Sequence, residues 1–170
     1  MNLDYCVREL ASNSKTIETF VAGIDAAQMR WKPTENDWSM LEVVNHLWDE
    51  EREDFPARIR HLFSGSPDRF APIRPAERVT ERGYNGRDPG ESLAGFLSER
   101  EKNLAWIRSL SRPDWEVKYA HEPLAGISAG DFLAAWTVHD LLHIRQLNEL
   151  KYAFSARELE GRAIIYAGEW

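Results

Sequence analysis

The chain has 170 residues and a single cysteine, Cys6. That length suits one domain over residues 1–170, burying about 70% of its unfolded surface with no intrachain disulfide. Twenty-one basic against 28 acidic residues leave a net charge of −7, a poor partner for nucleic-acid phosphates. No apolar run reaches the roughly 18 residues of a membrane span, and residues 1–10 lack the basic and apolar regions of a signal peptide, so the expected location is cytoplasmic.

The first helical pattern runs from Leu3 to Ile24, with Leu3, Cys6, Val7, Leu10, Ile17, Phe20, Val21 and Ile24 at helical spacing. The connector that follows holds Met29, Trp31, Pro33 and Trp38, and Pro33 with the polar run Thr34 to Asp37 marks it as non-helical. A second helix starts at Ser39, where Ser39 and Glu42 form a capping box. Its pattern continues to Leu62, with a kink expected at Pro56. Residues 64–90 are rich in glycine and proline and read as a long connection, of the kind that is often functional. A third helix is expected from Pro89 to Leu110, closed by Pro113, and residues 115–124 read as irregular. A second capping box, Ser128 with Asp131, opens a fourth helix that runs to about Tyr152, and a short helical tail is expected over Ala156 to Ala167. Four long helices with one long connection imply an all-α bundle.

The densest chemical signal is His139-Asp140-Leu141-Leu142-His143. Residues four apart share a helix face, so two imidazoles can reach one metal ion. Phe132, Trp136, Gln146, Leu147 and Leu150 share that face, and Leu133, Val138, Leu141, Leu142 and Ile144 make the rest apolar too. A helix apolar nearly all round is expected to be central and buried. The competing reading of the pair is a hydrogen-bonded core. A third ligand would come from His46, His61 or His121. His46, inside the second helix, is best placed, since bundle metal sites are built from facing helices. On an ideal wheel it lies off the stripe of Val44, Leu47 and Trp48, and the residues alone leave the choice open.

Trp31-Lys32-Pro33, the stretch from Trp38 to Leu47, the stretch from Ala134 to Gln146 and the ending from Tyr166 to Trp170 together resemble the DinB-like superfamily. The resemblance runs from about residue 10 to the end. It implies an antiparallel four-helix bundle with a long crossover between the second and third helices. It also implies one divalent metal ion held by His46, His139 and His143. Homodimers formed by helix packing are a further expectation from the family.

Three imidazoles with one open position describe a catalytic centre rather than a closed structural one. Zinc or nickel are the first candidates, with cobalt, manganese and iron open. Around the ligands, Glu50 is a candidate to orient His46 or to accept a proton. Read plainly, it belongs to a solvated acidic run with Asp49, Glu51 and Glu53. Asp140 and Gln146 are candidates to orient the imidazoles. Trp48 and Trp136 are candidates to wall the pocket, with core packing as the other reading.

By resemblance, the first functional expectation is a metal-dependent transferase using a low-molecular-weight thiol such as bacillithiol or mycothiol, with a small electrophile as partner substrate. The alternative is a non-catalytic metal-binding or stress-associated module. A metalloprotease of the H-E-x-x-H kind is disfavoured, because Asp140 stands where the glutamate base belongs. No G-x-S-x-G elbow or glycine-rich phosphate loop occurs.

Overall fold

A computed structural model of the chain describes residues 2–168. Met1, Glu169 and Trp170 lie outside the described residues, and with them part of the family-like ending. Among the described residues the chain is helical, with only an isolated bridge between Lys118 and Ser128. No described helix is long and apolar enough to cross a membrane.

The helices are α1 (Leu3–Val21), α2 (Ala26–Arg30), α3 (Met40–Glu53), α4 (Phe55–Ser64), α5 (Pro75–Glu81), α6 (Pro89–Ser109) and α7 (Ala129–Glu158). Short 3-10 turns cover Tyr84–Gly86 and Ile164–Ala167. Both capping boxes form. The Glu42 N–H donates to Ser39 Oγ at 3.1 Å, and the Ser39 N–H donates back to Glu42 Oε2 at 2.7 Å. Ser128 and Asp131 do the same at 3.0 and 2.9 Å.

Several boundaries differ from the sequence reading. The first connector contains α2, capped by the Asp25 side chain at the Ala27 and Gln28 N–H groups. The second helix breaks rather than kinks. Asp54 leaves helical geometry at φ −116°, ψ −103°, and Pro56 falls in the first turn of α4, where a missing N–H costs nothing. The connection 64–90 is not structureless, since α5 and the Tyr84–Gly86 turn lie in it. The fourth helix continues to Glu158.

α1, the α3–α4 pair, α6 and α7 form the bundle, packed in a ring with α1 against α6 and α7, and α3–α4 against the same two. Two apolar clusters fill it. One joins Leu10, Ile59, Ile107, Leu133 and Trp136, and the other joins Ile17, Leu41, Val44, Phe96 and Leu147. α1 and α7 pass from the first cluster to the second, while α3–α4 and α6 pass from the second to the first. Two like-directed pairs are therefore antiparallel to each other.

The connection between α4 and α6 is tied to α3. Arg82 donates to Glu53 at 2.7 and 2.9 Å and also pairs with Asp49, which accepts from the Tyr84 hydroxyl. Arg87 donates to Asn45 at 2.9 Å. The acidic run of α3 is thus not a solvated face: Asp49, Glu50 and Glu51 are all buried. The fourth helix was also expected to be buried all round. Instead α7 leaves Val138, Leu141 and Leu142 about half exposed, because α1, α3 and α4 cover only part of its circumference.

Trp48 packs on α6 rather than toward the histidines. A Cβ on Gly95 would lie 2.4 Å from its indole ring, and Arg52 also lies over that ring, 4.6 Å from the centroid. Gly95→Ala gains about 1 kcal/mol of helix propensity but forces a contact that overpacking data price at about 1–3 kcal/mol. The expected result is a net loss of about 1 kcal/mol, read from urea unfolding midpoints at unchanged slope.

Candidate metal centre

α3 and α7 face each other along one groove. His46 and Glu50 project from α3, one turn apart, and His139 and His143 project from α7. One ring nitrogen from each of His46, His139 and His143 lies within 4.8 Å of the others. The ring centroids are 5.4 Å apart for His46 and His139, 4.7 Å for His46 and His143, and 4.5 Å for His139 and His143. The structure therefore brings together the three histidines that the resemblance picked out. The offset of His46 from the apolar stripe turns it into the α3–α7 groove.

The facing nitrogens can be identified. Gln146 Oε1 lies 2.8 Å from His143 Nδ1. A carbonyl oxygen accepts, so Nδ1 carries the proton and Nε2 keeps its lone pair. That Nε2 lies 3.2 Å from His139 Nε2. His46 Nδ1 lies 3.5 Å from Glu50 Oε1, which leaves Nε2 free. Tetrahedral ligands about 2.0–2.1 Å from an ion stand about 3.3 Å apart. The 3.2 Å separation is already that spacing. His139 Nδ1 is buried with no hydrogen-bond partner among the described residues.

Burial dominates the electrostatics. It pushes His46 down to about 2 and His139 to about 3, with the neighbouring imidazoles adding to the effect. Burial lowers His143 as well, against the opposing pull of Gln146. At neutral pH all three rings are therefore uncharged and keep a lone pair for an ion. Glu50 moves the other way. Burial, and then the Asp54 carboxylate beside it, push it up to about 9, with Arg78 and Arg58 pulling back.

The remaining candidates separate. Gln146 touches an imidazole. Asp140 does not, because its carboxylate is fully buried and committed to Arg100 on the bundle interior. Trp136 reaches the site only at second hand: its ring stacks on Phe55 at 6.4 Å, and Phe55 lies 5.1 Å from His139. His61 and His121 face the backbone carbonyls of Asp68 and Pro67, at 3.0 and 2.8 Å. The aromatic walls are Phe55 and Trp38, the latter 5.1 Å from His46 and parallel to His143 at 6.5 Å. Sequence reading passed over both. Trp38, directly before the Ser39 cap, was the legible one, because a residue there is fixed against the first turn of α3.

Fold and site together define a helical bundle with a buried three-histidine cluster. A model of the DinB superfamily matches residues 9–147, and the chain belongs to that superfamily. It is similar to the uncharacterized protein YuaE of Bacillus subtilis strain 168, at 23% identity over 155 residues, covering 82% of this chain and 94% of that one. Among solved structures it is similar to YfiT from Bacillus subtilis, described as a probable metal-dependent hydrolase with an unusual four-helix bundle topology. The TM-score is 0.79 at 18% identity, covering 90% of this chain and 87% of the other. At that identity the likeness carries the fold.

Proposed function

We propose that this protein binds one divalent metal ion through His46, His139 and His143, with zinc or nickel as first candidates, and is a transferase acting on a low-molecular-weight thiol. The observation that carries the metal reading is the meeting of three neutral imidazoles at metal-ligand spacing on two facing helices. An ion held there would supply Lewis acidity, lowering the pKa of a thiol or water bound to it.

The chain's own residues do the rest. Gln146 fixes the tautomer of His143 so that Nε2 points inward. Glu50 stands behind His46 to orient it; burial keeps it protonated at neutral pH, so the thiol proton passes to solvent. Trp38 and Phe55 keep water from the flanks of the cluster. The sulfur then bonds to an electrophilic carbon, and the leaving group departs with its electron pair.

Water as nucleophile is the second reading, favoured by the structural likeness to a protein described as a probable hydrolase. After expression in metal-supplemented medium, elemental analysis is expected to give about one equivalent of metal per chain, and well under half of that in His46→Ala, His139→Ala or His143→Ala. Less than a tenth of an equivalent in the native protein would sink the metal reading and favour a non-catalytic module. Metal-loaded protein is then assayed with bacillithiol, mycothiol and water against one chromogenic electrophile. A rate with either thiol above that of metal-free protein supports the transferase, whereas turnover with water alone replaces it by the hydrolase.

A further inference from the structure

Arg100, in the middle of α6, is 1% exposed. It makes five hydrogen bonds, enough to use every N–H of its guanidinium. Nε and Nη2 donate to Glu51 Oε1 at 2.9 and 2.7 Å. Nη1 donates to Leu10 O at 2.8 Å and Asp140 Oδ2 at 2.7 Å, and Nη2 also donates to Asp140 Oδ1 at 2.8 Å. These partners lie on α3, α1 and α7, so one side chain ties all four long elements of the bundle. Glu51 is completed by Trp136 Nε1 at 2.8 Å and by Asn103 Nδ2 at 3.0 Å.

Both acids sit directly beside a site residue in sequence. Glu51 follows Glu50, and Asp140 follows His139. One residue is about 100° of helix rotation. Holding Glu51 and Asp140 on a common guanidinium in the interior therefore sets Glu50 with His46, and His139 with His143, at fixed angles in the α3–α7 groove. At a side-chain radius of about 5–6 Å, a 10° turn of either helix moves an imidazole nitrogen by about 1 Å. Metal-ligand distances tolerate about 0.2 Å. A second route runs from Glu51 through the indole of Trp136 to Phe55 and the His139 ring.

We infer that Arg100, with Glu51 and Asp140, is the positioning device of the three-histidine centre: it sets the rotation of α3 against α7 that makes His46, His139 and His143 converge. This rests on the metal reading above but assigns work to residues that touch no ligand of the site. A buried ion triad is weak evidence for stability, since apolar replacements are often neutral or better. That separates positioning from stability.

The test compares the native protein with Glu51→Gln/Arg100→Met/Asp140→Leu and with Arg100→Lys. In Glu51→Gln the amide oxygen still accepts from Trp136. Lysine keeps the charge but cannot hold both carboxylates with a planar fork. The readouts are thermal unfolding without metal, zinc affinity by competition with a chromogenic chelator, and the visible spectrum of the cobalt(II)-loaded protein. The expected result is a triple variant that unfolds within a few degrees of the native protein or higher. Its zinc affinity falls about 10- to 100-fold and its cobalt bands are displaced, with Arg100→Lys in between. A folded triple variant within twofold of native affinity, with unchanged bands, overturns the inference while leaving the metal reading intact. Should the triple variant fail to fold, native affinity and spectrum in Arg100→Lys overturn it instead. A native protein that binds neither ion removes the metal reading, and this inference falls with it.

Discussion

Arg100→Ala is expected to cost about 3–5 kcal/mol, enough to leave a large part of the protein unfolded at 37 °C. The loss is not that of a salt bridge as such. Glu51 and Asp140 are 2% and 0% exposed, and without the guanidinium both would be carboxylates in an apolar interior. Burial already pushes Glu51 above its usual range, with Arg100 and Asn103 pulling back. Burial also opposes the charge on Arg100, but Glu51 and Asp140 more than compensate and raise it. Each group is tolerated only because of the others. The Leu10 carbonyl would lose its side-chain donor, and a cavity would open against Phe96 and Trp136, the rings the guanidinium covers. Removing the charges with the arginine should restore most of the loss. Guanidinium or urea unfolding of the single and triple variants checks this. A cost under about 1 kcal/mol for Arg100→Ala would mean the carboxylates find water or protons at no expense.

This layer was invisible in the sequence, and the reason is physical. Periodicity reports apolar faces: Glu51 read as part of a solvated acidic run, Asp140 as a partner for an imidazole, and nothing in the pattern marked Arg100. Their burial follows only once three helices bring complementary charges to one point. The helices themselves were legible because they are written locally: both capping boxes formed where Ser39 with Glu42 and Ser128 with Asp131 placed them. The pair His139 and His143 was legible for the same reason, since four residues make one turn. His46 was legible only in part: its place inside the second helix favoured it over His61 and His121, but its partners lie on another helix, and the family resemblance was needed to settle the choice. The exposed face of α7 shows the converse error. Apolarity all round a helix predicts burial, but among the described residues no element covers Val138, Leu141 and Leu142 fully.

The metal-free protein is expected to lose stability as pH falls from about 6.5 to 5. In the unfolded chain His46 and His139 take up protons near 6.5, whereas burial holds them near 2 and 3 in the fold. Across that window the unfolded state binds more protons, so stability rises with pH and falls on acidification. Between pH 6.5 and 5 each ring costs about 1.6 kcal/mol, on a slope that rises toward about 1.4 kcal/mol per unit. Glu50 works against this. Its proton is held up to about 9 in the fold and to 4.5 in the unfolded chain, so the folded state binds more protons there and gains about 2 kcal/mol over the same interval. The two histidines together outweigh it, leaving a net loss of about 1.4 kcal/mol, to which the lowered His143 adds. Urea unfolding at pH 6.5 and 5 measures the difference. His139→Leu, which removes one of these groups, should show a shallower dependence. Equal stability of the native protein at both pH values would mean that the rings reach solvent and protonate within the fold, and a cluster that accepts protons so readily would not keep its lone pairs for an ion.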